Sequence, residues 1–352
     1  MDQRIQEYDS LSSEPGLFPP IVWNPNGDAS VPSGVNRVWD RIGLPVDNIQ
    51  TVLSKHGGIL VRSIGTEWSA ADLERAVLQI TPHLRDYIGG TSPREIVHGK
   101  VMTATALPGD WSIPPHQEMA YTKTPPSFIT FFCECQAATG GESTVTDMRS
   151  VLATIDSRIR KKFDRFGIQL RRVLPSIETL RLKPGIQKPW SEVFATDDQR
   201  KVESIVTAKG WKAEWLPGNT LRLWQDVVPA VITHPISGES IWCNQAHLFS
   251  PACMMAWAAE DGRRAEYETL KAAKKSHPEM LDDMLLGNGE PVPDEDALHI
   301  YRVLRQLEAE LLLSHGDLLI LDNLILAHGR KPFTGNRRVL VVLSDRESST
   351  EH

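Results

Sequence analysis

His116 and Glu118 stand two residues apart in PPHQEMAY, residues 114 to 121. In an extended segment positions i and i+2 point to the same side, so this imidazole and this carboxylate can converge on one point. They make half of a metal site. The other half is offered by His328, in DNLILAHGRKPFTGNRRVLVV, which falls in the turn between two apolar runs. Two imidazoles and one carboxylate on one face of an octahedron leave three positions open, as iron(II) requires to bind a bidentate 2-oxo acid and then dioxygen. Each half alone has a plain structural explanation, because His-x-Glu recurs by chance and a turn histidine before glycine is commonly a packing residue. The combination carries the chemistry.

The elements that must position these residues are short. From residue 96 the chain breaks into apolar or alternating runs separated by Pro and Gly (IVHGKVMTATAL, SFITFFCECQA, ESTVTDM), which predicts a sheet sandwich or barrel. GNTLRLWQDVVPAVITHP and GESIWCNQ are expected to continue it, and GDLLILDN and RRVLVVLSD to close it. Upstream, IQTVLSKHGGILVRSI predicts a helix ended by Gly57-Gly58 and a strand from Ile59 to Val61, and SAADLERAVLQITPHL a helix capped by Ser69. The Pro- and Gly-rich first fifty residues are expected to form an arm, and residues 251 to about 312 a helical insertion between core strands, within a single domain spanning 1–352.

Composition narrows the partners. With 352 residues, 38 basic against 45 acidic side chains and a net charge of -7, the chain offers no field for phosphate backbones or anionic lipid, which leaves a small molecule or a small protein. No basic patch precedes an apolar run at the N-terminus and no stretch of about eighteen apolar residues occurs, so the expected location is cytoplasmic. Cys133, Cys135, Cys243 and Cys253 are expected as free thiols, and no second Cys or His pair completes a zinc set around the first two. No phosphate-binding or dinucleotide fingerprint is present.

His116-x-Glu118 and the distal His328 in DN…HGR…RR resemble the TauD/TfdA superfamily, and within it the clavaminate-synthase-like and syringomycin-biosynthesis (SyrP-like) members, which use Glu where many relatives use Asp. The similarity runs through LSKHGGILVRSI, YIGGTSPR, HQEMAYTKTPPSFITFFCECQAATGGESTVTDMRSVL, PWSEVFATDD, HPISGESIWCNQAHLF and GDLLILDN. Trp242-Cys243-Asn244-Gln245 departs from the usual WFNQ, and Gly287-Asn288-Gly289 from the usual GDG. The resemblance implies a mainly β protein with flanking helices (α+β), built on a double-stranded β-helix, the jelly-roll or cupin-like core. Fe(2+) would be held by His116, Glu118 and His328, with 2-oxoglutarate and O2 as co-substrates. The 2-oxoglutarate C5 carboxylate would meet Arg338 and Ser143, with Arg337, Arg330 and Thr144 as the fallbacks. Arginine suits the task because it is always charged and grips a carboxylate through two parallel bonds. Read without the resemblance, the same residues are a surface arginine, a turn serine or a partner for Asp322.

The same resemblance implies oxidative decarboxylation of 2-oxoglutarate to succinate and carbon dioxide, coupled to removal of a substrate hydrogen. Glu118 occupies the position that is small in related halogenases, so hydroxylation is expected rather than chlorination, with desaturation or ring formation as the alternative on the same ligands. The implied substrate is an amino acid, free or tethered to a carrier protein, or a similar intermediate of specialised metabolism; Tyr121, Asn244, Gln245 and His247 are the expected pocket residues. Two readings of other classes stand beside this one: a non-catalytic jelly-roll protein that binds a metabolite or regulates its pathway, and a zinc hydrolase, which would lack an HExxH helix here.

Overall fold

The computed structural model describes residues 46–64, 67–87, 94–182 and 188–346, together with Trp39 and the short strands Ile5–Gln6 and Ile21–Trp23. Most of the expected N-terminal arm therefore lies outside the described residues.

Alternation in three apolar runs builds the centre. In Phe128–Cys135, Leu318–Asp322 and Arg338–Ser344, successive side chains point to opposite faces of one sheet. Ile129, Cys133, Leu319, Leu321, Val339, Val341 and Leu343 go to one cluster; Phe128, Phe132, Leu318, Ile320, Leu340 and Val342 go to another. This sheet has eight strands, in the order Ile5–Gln6, Ile21–Trp23, Gly58–Val61, Leu318–Asp322, Phe128–Cys135, Arg338–Ser344, Val101–Thr103, Ile96–His98. Its outer face is covered by helices Val46–His56 and Ala70–Ile80, which contribute Ile49, Leu53, Leu73 and Val77. As expected, Ser69 caps the second helix, and Asp72 returns a bond to the Ser69 amide. The first helix stops before Gly57, whose φ of +80 suits glycine.

The inner cluster is shared with a second, four-stranded sheet in the order Ala309–Leu311, Ser143–Asp147, Leu326–Arg330, Ile113–His116. The two sheets make the jelly roll. Burying each large aliphatic or aromatic side chain between them contributes about 1.5–3 kcal/mol.

Two expectations need correction. Thr220–Val228 does not continue the jelly roll. It forms a separate antiparallel sheet with Lys212–Leu216, Ile168–Leu174 and Asp283–Leu286, and Val231–Thr233 pairs with Ser240–Trp242 as an isolated hairpin. Alternation alone cannot choose between sheets, and Leu221 and Leu223 find a local core with Trp190, Val202 and Val206. The helical reading of DALHIYRVLRQLEAELLL also ends too late: the helix is Asp294–Gln306, and Ala309–Leu311 pairs with Ser143–Val145 as the edge of the smaller sheet. Residues 251–312 thus hold helices Pro251–Glu260, Arg264–Ser276 and Asp294–Gln306, with one strand of the extra sheet between the last two. Among the described residues no helix is long and apolar enough to cross a membrane.

Candidate metal and co-substrate site

His116 ends its strand and pairs directly across the ladder with His328, whose own strand lies between Ile113–His116 and Ser143–Asp147. The imidazole centroids are 4.5 Å apart. Glu118 reaches them differently from the extended geometry expected. It sits in a turn closed by the Ala120 amide on the Gln117 carbonyl, with Met119 at φ +55, a conformation a non-glycine residue rarely adopts. One donor atom each from His116, Glu118 and His328 lie within 4.8 Å of one another.

Electrostatics favour ligation. Burial holds His116 below its ordinary pKa against the upward pull of Glu118 and the Pro114 carbonyl. Burial, then His116 and Arg94, hold His328 well below. Both are neutral at pH 7, as metal ligands must be. Nδ1 of His116 is bonded to the Pro114 carbonyl at 3.0 Å, which leaves Nε2 as the lone pair, and Nδ1 of His328 is buried with no hydrogen-bond partner. The donor set therefore suits a divalent ion that accepts nitrogen and oxygen.

The cavity beside these residues is lined by Arg94, Phe131, Ser143, Leu319, Arg330 and Arg337 among others. Arg337 sits over the Gly141–Ser143 turn: its Nε donates to the Gly141 carbonyl at 3.2 Å and Nη2 lies 3.5 Å from Ser143 Oγ. Arg330 Nη2 donates to the carbonyls of Pro108 and Trp111, both at 2.7 Å. Burial, with Arg337 nearby, brings Arg330 down to about 10, and burial likewise lowers Arg337. An anion placed between them would relieve both.

Arg338 is not there. Its side chain is 48% exposed and pairs with Glu134 at 2.9 Å. The pleat explains it: Val339, Val341 and Leu343 take the inner face, while a register shift between Arg338 and Val339 breaks the ladder at the strand's first residue. Thr144 is fully buried on the strand face opposite Ser143 and does not line the cavity. At Gly329 a Cβ would stand 2.4 Å from the Ile113 carbonyl and 2.6 Å from Thr144 Oγ1, so only glycine lets the three strands close here.

The four expected substrate residues are buried, and none of them lines the cavity. Asn244 bonds the Ala230 carbonyl and the Ala246 amide, and Tyr121 packs edge-on against Phe249. Gln245 donates to the Gln117 carbonyl, and His247 Nε2 bonds the Pro115 carbonyl at 2.7 Å. They grip the backbone on either side of His116. Two residues escaped the sequence reading. Asn323 accepts from the Glu118 amide and donates to its carbonyl. Arg94 pairs with Glu118 Oε2. Asn323 belongs to the DN pair beside the distal histidine, so a signal was present; Arg94, in YIGGTSPR, lies outside any ligand spacing. Next to Asn323, Asp322 is buried between His234 and Arg346 and caps the Leu324 amide, so His234, which heads the HPISG turn by accepting from Ser237 and Gly238, is a buried residue and not a surface one.

Residues 41–343 match the family described as taurine catabolism dioxygenase TauD, TfdA family. The chain belongs to this TauD/TfdA dioxygenase family. It is 30% identical over 301 residues to the dapdiamide synthesis protein DdaC of Enterobacter agglomerans, covering 86% of this chain and 85% of that one. It is 26% identical over 343 residues to the clavaminate synthase-like protein At3g21360 of Arabidopsis thaliana, covering 96% of each. Among solved structures, PvcB from Pseudomonas aeruginosa has the same fold, with a TM-score of 0.51 at 16% identity over 98% of this chain and 93% of that one. The protein is thus a dioxygenase of the iron and 2-oxoglutarate type.

Proposed function

We propose that this TauD/TfdA dioxygenase hydroxylates an amino acid or amino-acid-derived intermediate of specialised metabolism, with iron(II) on His116, Glu118 and His328 and 2-oxoglutarate on Arg337 and Ser143. The observation that carries the reading is the convergence of two imidazoles and one carboxylate beside a cavity lined by Arg94, Arg330 and Arg337. The substrate class draws on the relatives, one of which is named for dapdiamide synthesis and another for its likeness to clavaminate synthase.

The metal and co-substrate together supply an oxidant strong enough to remove a hydrogen from carbon; the protein supplies geometry and dryness. Pro114 fixes the His116 tautomer. Asn323 fixes the turn that aims Glu118. Arg337 and Ser143 orient the C5 carboxylate, and Phe131, Leu319 and Ile113 keep water from the cavity. Arg330, held by two carbonyls, completes the positive wall.

The test is a substrate screen that couples succinate formation to product mass. A gain of one oxygen supports hydroxylation, and a loss of two hydrogens assigns desaturation or cyclisation instead. Zinc content without 2-oxoglutarate turnover would sink the oxygenase assignment. Comparing free amino acids with carrier-tethered thioesters separates the two modes of presentation.

A further inference from the structure

The cavity has a second cationic wall that 2-oxoglutarate does not need. Arg94 lines it, its side chain is 5% exposed, and it is held by Glu118 at Nη2 and by a hydrogen bond with the Tyr87 side chain; Nε and Nη1 are buried with no hydrogen-bond partner. The guanidinium lies over the Tyr87 ring, 4.4 Å from its centroid, and the Lys188 ammonium stands 5.2 Å from that same centroid. Arg172, 3% exposed, adds a third positive charge. It and Arg94 oppose the charge on Lys188, whose pKa burial and these two neighbours hold below the ordinary value. The acids facing this group are Glu118, Glu192 near Lys188 and Asp282 near Arg172.

Glu118 would have to divide its charge between Arg94 at Oε2 and a metal. Once its charge is shared with a divalent ion, the buried guanidinium keeps its donors but loses part of the charge that neutralises it, which favours the arrival of another anion. Arg337, by contrast, is bonded to the Gly141–Ser143 turn and needs no help from Glu118. A guanidinium with open donors, stacked on an aromatic ring, is built to receive a planar carboxylate.

We propose that Arg94, backed by Lys188, receives a carboxylate of the organic substrate, so that the substrate is a free small carboxylic acid entering beside Glu118. This rests on the dioxygenase assignment of the triad. It also selects between the two forms of presentation, since an acyl group tethered as a thioester has lost that carboxylate.

The experiment uses the full chain loaded with zinc(II) and N-oxalylglycine, both followed by calorimetry, so that the co-substrate position is filled and no turnover occurs. Ligand-observed NMR then compares the L-amino acids with their carboxamides. We expect at least one acid to bind about tenfold or more tightly than its amide. In Arg94→Gln the two should become equal while N-oxalylglycine still binds, and Arg94→Lys should keep part of the preference. The proposal is overturned if no acid is preferred, if the preference survives Arg94→Gln, or if Arg94→Gln loses N-oxalylglycine. It also falls if Arg94→Gln fails to load zinc while Arg94→Lys loads it and shows no preference, because Arg94 would then only support Glu118. Failure of the wild-type chain to bind zinc and N-oxalylglycine together would instead defeat the dioxygenase assignment.

Discussion

The side chain of Asn323 holds Glu118 by both ends of its main chain: Oδ1 accepts from the Glu118 amide at 2.7 Å, and Nδ2 donates to the Glu118 carbonyl at 3.0 Å. A third bond, from Nδ2 to the Pro126 carbonyl at 2.8 Å, anchors the clamp to the strand that follows. With Asn323→Leu three buried main-chain groups lose their partner, at about 1–3 kcal/mol for each group left unsatisfied. We expect metal affinity to fall about 10–100-fold, as when other residues that orient metal ligands are lost. Metal titration calorimetry beside a thermal melt checks this, and unchanged affinity in a folded Asn323→Leu would refute the clamp.

Neighbouring arginines should behave as opposites. Arg337→Gln removes the guanidinium over Ser143 and is expected to raise the KM for 2-oxoglutarate about 10–100-fold, the range of a lost charge-assisted bond. Arg338→Gln removes an exposed partner of Glu134 and should change that KM by no more than about twofold. Succinate kinetics for the two variants decide it, and the reverse ranking would return the carboxylate to Arg338.

Acid should loosen the metal-free protein through its buried histidines. Burial lowers His247 to about 4, although the Pro115 carbonyl opposes this, while an unfolded chain titrates near 6.5. Between those values the unfolded state binds more protons, so stability rises with pH through the window and is lost as pH falls toward about 4. His328 and His116 are shifted the same way. Urea unfolding at steps across this range should show the slope, reduced by up to about one proton in His247→Gln, which keeps a donor for Pro115. Burial raises Asp283 to about 6, which slopes the other way, so the difference between wild type and His247→Gln is the readout, and no difference would contradict the prediction.

Thiol labelling should count one site in the native chain. Burial pushes Cys133 up to about 11 and Cys243 and Cys253 up to about 12, and all three are nearly inaccessible. Cys135 is only partly covered. Iodoacetamide at pH 8 followed by mass spectrometry should add one group to the folded protein and four in urea. Native labelling of Cys243 would mean that the hairpin carrying it opens.

How much of this was legible in the sequence differs from residue to residue. His116, Glu118 and His328 are visible because ligand chemistry restricts residue type, and the jelly-roll strands because alternation is a strong signal. Arg338 was misplaced because adjacent residues of a strand face opposite ways, and with Val339, Val341 and Leu343 facing inward Arg338 falls on the other side. Leu221 and Leu223 carry a genuine strand pattern, but which sheet accepts it depends on Trp190 and Val202. Gln245 and His247 were expected to line the substrate pocket, yet the partners they show are the carbonyls of Gln117 and Pro115, far off in the chain. Arg94 was invisible because its meaning lies in its contact with Glu118, not in its spacing.

The cross-ladder pairing of His116 with His328 has a consequence for how the protein matures. More than half of the chain separates the two residues, and they meet only when the smaller sheet closes. A growing chain leaving the ribosome would carry nothing but an isolated His-x-Glu pair, too poor a chelator to capture iron. Loading is thereby deferred until the strand that carries His328 has been made, and redox-active metal has no seat in a half-made jelly roll.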